Sequence, residues 1–213
     1  MTADRRLQVG GWAALLIAVL LPLEFVAVRI LPVGLDGAVN VGVLTLSSTR
    51  LLATLVAVIG LDGWLRSIAP GSATRVLAVG VAGSALGIVL EVWTWFVLTV
   101  PGFAGAGFGN VLATWSAALA GILIGLWFFL GGAIVLNGGH GLARVGWPGM
   151  IGGGAMILAA VTVAMRFGTA TGRGPDELSL RDWFHLIGLF VVLYLIRTWR
   201  YVVGGRLPAP GIL

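Results

Sequence analysis

The chain has 213 residues, of which 59% are hydrophobic and 10% are charged, and its mean hydropathy is +1.05. Because a soluble domain carries about 25% charged residues, this composition predicts an integral membrane protein. The 13 basic residues are all arginines and include no basic run interleaved with aromatics, which excludes nucleic-acid binding, and the absence of cysteine excludes disulfides, thiol catalysis and iron–sulfur clusters.

Six apolar segments are long enough to cross a bilayer, for which about 20 residues are needed. The first segment follows Arg5 and Arg6, but it exceeds the apolar region of a signal peptide, so we interpret it as a retained helix. The sequence therefore predicts an all-α, polytopic transmembrane helix bundle, with residues 1–213 as a single integral membrane domain in the cell membrane. The predicted transmembrane helices cover about 11–31, 49–68, 76–100, 111–136, 147–167 and 182–203.

The distribution of arginines predicts the orientation, because cytoplasmic loops carry an excess of basic residues. The side of the N-terminus holds Arg5, Arg6, Arg66, Arg75, Arg144, Arg197, Arg200 and Arg206, and the other side holds Arg29, Arg50, Arg166, Arg173 and Arg181, offset by Asp36, Asp176, Glu177 and Asp182. We therefore expect both termini in the cytoplasm.

Two GxxxG motifs lie in the third and fourth predicted helices, at Gly83–Gly87 and Gly121–Gly125. Such motifs let helix backbones approach closely where lipid provides no hydrophobic drive for association. They predict close packing within the bundle, and a homo-oligomer formed through the glycine faces is the alternative.

Glu24 and Glu91 are carboxylates inside long apolar stretches, where an unpaired charge costs about 2.5–3.5 kcal/mol. Counted along their helices, both lie about 20 Å from the cytoplasmic end, at a similar depth in the outer third of the membrane. Glu91 also shares a helical row with Gly83, Gly87 and Trp95, so we expect its side chain to point into the bundle.

Two interpretations of these acids remain open. In the first, Glu24 and Glu91 form a site for a proton, a cation or another small ligand, with Arg29 or Arg50 as counter-charge and with Trp93 and Trp95 beside it. In the second, the acids pair structurally with arginines such as Arg29, Arg50 or Arg166. The second interpretation is the favoured one.

His185 lies in the first turn of the sixth predicted helix, three residues after Asp182, which suggests acid–base chemistry. Ser179 and Asp182 also match a capping box, which explains the acid without catalysis. His140 is a membrane thickness away, so the chain cannot hold a bis-histidine haem by itself. We predict no catalytic residue, no metal site and no cofactor, and place His185 in the candidate ligand site with Glu24, Glu91, Arg29, Arg50, Trp93 and Trp95.

Asp62 and Arg66 are one helical turn apart and predict an i,i+4 ion pair. Arg197 faces the same leaflet, and we expect Asp62 to pair with it. Such a pair would join the second helix to the sixth or gate a cytoplasmic pathway, and the first interpretation is the favoured one.

Three functions are compatible with this sequence. The leading hypothesis is a small carrier or ligand-binding membrane protein whose partners are the lipid bilayer and a small-molecule or cation ligand. The alternative is a non-catalytic accessory or scaffolding subunit. A weaker alternative is a lipid-acting enzyme that uses His185.

Overall fold

The computed structural model describes residues 3–30, 41–99, 108–139, 141–165 and 186–204. Within these ranges the chain is helical and contains no strand. A single turn of helix at 186–188 precedes the last of six helices. The helices are α1 (Ala3–Ile30), α2 (Val41–Ile68), α3 (Pro70–Thr99), α4 (Phe108–Asn137), α5 (Ala143–Met165) and α6 (Phe190–Val202).

Several helices extend beyond their predicted bounds. α2 begins at Val41 rather than at 49, and α3 begins at Pro70 rather than at 76, so that Ala69 alone separates them. The prediction counted apolar residues, but a helix continues past the hydrocarbon core because its backbone hydrogen bonds do not depend on side-chain polarity. Pro70 is well suited to the first position of α3, because the backbone N–H that proline lacks would have no partner there.

The helices form a closed antiparallel ring among the described residues. Each helix contacts the next one along the chain, α6 returns to contact α1, and α2 also touches α4. The Trp12 and Trp199 rings, 5.5 Å apart between centroids, lie at the α1–α6 contact that closes the ring. Short connections between α2 and α3 and between α4 and α5 account for two of the antiparallel neighbours.

Large apolar side chains fill the centre of the ring. Phe128 lies 4.7 Å from Trp127 and 6.2 Å from Tyr194 between ring centroids, the second pair being perpendicular. Other side chains with almost no exposed surface are Ile17, Val58, Leu61, Val135, Val191 and Leu195. The edge-to-face geometry of Phe128 and Tyr194 places a positive ring edge against a negative ring face.

The outer surface of the ring is also apolar. On α1, Trp12, Leu16, Val19 and Leu23 lie three or four residues apart and are 44–54% exposed. A helix that is apolar on its inward and outward faces suits a membrane rather than water. By length and composition, α1 to α5 each contain a candidate membrane span.

The sixth predicted span, 182–203, is described only from residue 186 onwards. α6 itself has 13 residues and is about 20 Å long, which is shorter than the hydrocarbon core. Over the residues that it describes, the structure is therefore all-helical and contains five candidate spans.

Glycines allow the closest helix contacts. A Cβ atom built on Gly10 of α1 would lie 2.7 Å from the backbone carbon of Gly60 on α2. In the first GxxxG pair, Gly83 contacts α4 at Leu123 and Gly87 contacts α2 at Leu51. This glycine row of α3 therefore lies between two neighbouring helices, α2 and α4.

Asp62 and Arg66 form the predicted i,i+4 ion pair, with 2.7 Å between Oδ2 and Nε. The expected pairing of Asp62 with Arg197 is wrong. Arg197 instead donates to the backbone carbonyl of Arg144 on α5. Pro148 explains this contact. Proline has no N–H to donate to the carbonyl four residues earlier in the helix, so the Arg144 carbonyl oxygen can accept from another donor.

Candidate functional site

The polar side chains at one end of the ring come from α1, α2 and α3. Glu24 lies near the C-terminal end of α1, Ser47 and Arg50 near the start of α2, and Glu91 near the C-terminal end of α3. Because the three helices are antiparallel neighbours, these positions meet at one level. We refer to Glu24, Ser47, Ser48, Arg50, Glu91 and Trp95 as the acidic cluster.

Glu24 and Arg50 form an ion pair across α1 and α2. The Arg50 Nε atom donates to Glu24 Oε2, and Nη2 lies 3.4 Å from Oε1. Their side chains are 20% and 16% exposed, so both charges are largely removed from the surface. Since the two charges neutralise each other, this pair satisfies the arginine-pairing interpretation for Glu24.

Glu91 has a different environment from Glu24. Its Oε1 atom accepts a 2.5 Å hydrogen bond from the Ser47 hydroxyl on α2. Its Oε2 atom is buried and has no hydrogen-bond partner within the described ranges. The Ser48 hydroxyl lies near enough to act as a second, longer-range hydrogen-bond donor to the Glu91 carboxyl, and Arg50 and Glu24 are close enough to interact with it electrostatically.

The two acids therefore share one cluster. Arg50, which is bonded to Glu24, follows Ser47, which is bonded to Glu91, by three residues on α2. This agrees with the equal depths that were counted from the sequence. The cluster has two acids and one arginine among its described side chains, so its formal charge is negative when both acids are ionised.

The tryptophans of α3 have different exposures. Trp95 Nε1 lies 3.4 Å from the Ser48 hydroxyl, which places the indole beside the acidic cluster. Trp93 is 41% exposed. Trp95 is thus the tryptophan that can contribute an aromatic wall to a site at Glu91.

Two buried hydroxyl groups lie closer to the centre of the ring than the acidic cluster does. Gly87 and Gly80 of α3 contact α2 at Leu51 and Val58, which puts Thr54 and Ser84 at one intermediate level. Both side chains are almost completely buried, and Ser84 Oγ has no hydrogen-bond partner among the described residues. This level is about 10 Å from Glu91 along α3.

Two predicted site residues, and the histidine that was not assigned to the site, fall outside what the structure describes. The side chain of Arg29 and the whole of His185 lie outside the described residues, and so does His140. The enzyme hypothesis that depends on His185 stays a prediction. In the described part of the chain, no three His, Cys, Asp or Glu residues are grouped so as to hold a metal ion.

Ser47 and Ser48 belong to the acidic cluster but were not predicted as site residues. Both precede Arg50 in the run Ser-Ser-Thr-Arg at 47–50, a polar interruption of an otherwise apolar segment. The second predicted helix begins at residue 49, which leaves both serines in the connection before it. The signal that could have found Ser47 is its spacing of three residues from Arg50, which puts both on one side of a helix.

A cavity of about 350 Å³ lies elsewhere, on the outside of α4 and α5. Its lining includes Phe129, Ile151, Leu158 and Ile187, and it is open to the surroundings. The lining is almost entirely apolar, which suits contact with lipid chains rather than recognition of a polar ligand. This groove does not include any residue of the acidic cluster.

Comparisons of the chain with protein families, with curated proteins and with solved structures find no match.

Proposed function

We propose that this protein is a small membrane carrier or ligand-binding protein that takes a small cation at the Glu91 carboxyl. The single observation that carries the proposal is the state of that carboxyl group. One oxygen is bonded to Ser47, while the other is buried without a hydrogen-bond partner among the described residues. A buried carboxylate oxygen is costly unless it is neutralised by a proton, a cation or a polar partner.

The surroundings of Glu91 support a cation rather than an anion. Among the described side chains, the positive charge near Glu91 is that of Arg50, which is already bonded to Glu24, so its charge is largely compensated. The Ser47 and Ser48 hydroxyls supply oxygen atoms with lone pairs, and Trp95 lies beside Ser48. Oxygen ligands suit inorganic cations, and an indole face suits organic ones.

A binding experiment on the purified protein in detergent tests the proposal. The probes are Na⁺ and tetraphenylphosphonium, each titrated at constant ionic strength with N-methylglucamine as the replaced cation. We expect at least one probe to raise the melting temperature saturably, because a ligand that binds only the folded state stabilises it. The Glu91→Gln variant should lose this shift.

Asp62→Asn is the matched control for this experiment. It removes a carboxylate of α2 at the opposite end of the ring, where Asp62 pairs with Arg66 and its Oδ1 atom, like Glu91 Oε2, is buried without a hydrogen-bond partner among the described residues. The control should keep the shift of the unmodified protein. Saturable shifts of equal size in the Glu91→Gln and Asp62→Asn variants, or no shift with either probe, would contradict the proposal.

The scaffolding function is the second candidate, and the Glu24–Arg50 ion pair favours it. A charge pair between α1 and α2 can hold the two helices in register without binding any ligand. In that case Glu91→Gln should change the melting temperature without cations and show no cation dependence in any variant. The same titration therefore separates the two functions.

We also propose six spans with both termini in the cytoplasm of a cell membrane. Support comes from the described arginines, since Arg5, Arg66, Arg75, Arg144 and Arg200 all lie at the end of the ring opposite the acidic cluster. Because the chain has no cysteine, single cysteines report accessibility cleanly. In intact cells, an impermeant maleimide should label Val41→Cys but not Ser72→Cys, and the reverse pattern would overturn this orientation.

A further inference from the structure

The end of the ring opposite the acidic cluster is strongly basic. Among the described helices, this basic end contains seven arginines and two aspartates, namely Arg5, Arg6, Arg66, Arg75, Arg144, Arg197, Arg200, Asp4 and Asp62. Asp62 is already bonded to Arg66. The remaining arginines therefore create a positive surface next to the apolar exterior of the ring.

Three of these arginines, Arg144, Arg197 and Arg200, lie at the corner of the ring where α5 begins and α6 ends. Arg197 donates from Nη1 to the Arg144 carbonyl, which Pro148 leaves without its usual helical donor. Arg200 follows Arg197 by less than one turn and is exposed, as is Arg144. None of the three forms an ion pair with a described carboxylate side chain, a set that does not include Asp4.

Aromatic side chains make contacts between α5 and α6 at this corner of the ring. The Arg197 guanidinium carbon lies 5.9 Å from the centre of the Trp147 ring, and Trp147 packs on Phe190 at 5.6 Å between centroids. The Tyr201 hydroxyl donates to the Gly141 carbonyl at 3.0 Å. Tryptophan and tyrosine prefer the depth of lipid headgroups, so these contacts suit an interfacial location.

We infer that Arg144, Arg197 and Arg200 bind the phosphate group of an anionic phospholipid, while the acyl chains lie along the apolar outer surface. Guanidinium groups donate two parallel hydrogen bonds to a phosphate, and three uncompensated positive charges favour an anionic headgroup over a zwitterionic one. The three arginine side chains supply the hydrogen-bond donors to the phosphate, rather than the backbone N–H groups at the start of α5. The backbone N–H groups of Leu142, Ala143, Val145 and Gly146 are already bonded to carbonyls.

The proposal is tested by titrating the purified full chain in detergent with short-chain phosphatidylglycerol or phosphatidylcholine. Tryptophan fluorescence gives the dissociation constants, since Trp147 lies at the corner. We expect phosphatidylglycerol to bind more tightly. Each arginine near an anionic lipid contributes roughly fivefold in affinity, so Arg144→Gln combined with Arg200→Gln should weaken its binding roughly 25-fold.

Two controls distinguish a site from a diffuse positive field. Arg5→Gln combined with Arg75→Gln removes two exposed arginines from the basic end, on α1 and α3, and should change the affinity less than threefold. Arg144→Lys combined with Arg200→Lys keeps the charge and should retain preference for phosphatidylglycerol. If the glutamine variant does not fold, these lysine substitutions and the salt dependence of the unmodified protein still test the inference.

Equal affinities for the two lipids would overturn the inference. An equal loss of affinity for phosphatidylglycerol in the Arg5→Gln and Arg75→Gln control would also overturn it, because the arginines of the basic end would then contribute alike. The outcome is independent of Glu91, so failure here leaves the proposed cation site unaffected.

Discussion

The Ser47 hydroxyl on α2 donates a hydrogen bond to the Glu91 carboxyl on α3. The other oxygen of this carboxyl has no hydrogen-bond partner among the described residues, so the Ser47 bond is what connects Glu91 to the helix that carries Arg50. The ion pair of Arg50 with Glu24 extends the same cluster to α1. At this end of the ring, α2 is therefore joined to α1 by the Arg50–Glu24 ion pair and to α3 by the Ser47–Glu91 hydrogen bond. In an apolar surrounding, each of these contacts replaces hydration that the membrane cannot supply.

Replacing Ser47 with alanine should destabilise the protein by about 1–3 kcal/mol, because the Glu91 carboxyl would lose its hydrogen bond while remaining buried. Unfolding in sodium dodecyl sulfate measures this change. Ser67→Ala is the matched control, since the Ser67 hydroxyl bonds only to the Trp64 carbonyl within its own helix. A Ser47 effect no larger than the Ser67 effect would show that the contact does not stabilise the cluster.

Glu24→Gln should be more damaging alone than in combination with Arg50→Gln. Removing one partner of a buried ion pair leaves an uncompensated charge and costs about 3–5 kcal/mol, and the residual exposure of this pair lowers that figure. The double variant loses both charges and should recover part of the stability. A double-mutant cycle on the free energy of unfolding tests this, and additive effects would mean that the charges act independently.

Gly10→Ala should weaken the contact between α1 and α2. The added Cβ would lie 2.7–2.9 Å from the backbone of Gly60 and Leu61, and backbone cannot give way as a flexible side chain does. We expect a loss of about 1–3 kcal/mol, as for overpacked cores. Gly63→Ala on α2 meets no atom within 4 Å and should leave stability unchanged or raise it. Comparable losses in both variants would contradict the close approach.

Phe128→Ala should cost about 3–5 kcal/mol, because it opens a cavity between Trp127 and Tyr194 at the centre of the ring. Phe96→Ala removes the same side chain from a position that is 55% exposed. In a membrane, lipid chains fill that outer space, so we expect less than about 1 kcal/mol there. Melting temperatures in lipid nanodiscs should therefore separate the two variants, and similar values would indicate that Phe128 is not packed centrally.

Pro148→Ala should release Arg197 from α5. Alanine restores the N–H that can bond to the Arg144 carbonyl, so Arg197 would lose its acceptor. In the unmodified protein, Arg197→Gln should cost about 1.5–3 kcal/mol, as expected for a hydrogen bond from a charged donor. In the Pro148→Ala background the same change should cost much less. An equal cost in both backgrounds would show that Pro148 does not direct the Arg197 contact.

Contacts within a helix were readable from the sequence. The Asp62–Arg66 ion pair follows from the 3.6-residue period, which brings side chains four residues apart together in any α-helix. The similar depth of Glu24 and Glu91 also follows from counting residues, because each residue advances a helix by about 1.5 Å. These relationships depend on the backbone alone.

Contacts between helices were harder to predict from the sequence. The sequence offered Arg29, Arg50 and Arg166 as partners for the acids without choosing between them, and it did not indicate Ser47. It also assigned Arg197 to Asp62, whereas the ring places Arg197 beside α5. Helices that are apolar on all faces carry little periodic signal for which side turns inward, so their rotation could not be inferred reliably.

The sequence alone therefore determined that the described part of the chain is helical, that its long helices are apolar, and that Glu24 and Glu91 lie at a similar level. Composition and helical rise depend only on which residues follow one another. The tertiary structure alone decided that α6 returns to α1, that Arg50 pairs with Glu24, and that Glu91 keeps one buried oxygen without a partner among the described residues. These features depend on the order and rotation of helices around the ring, which close packing selects and local sequence does not encode.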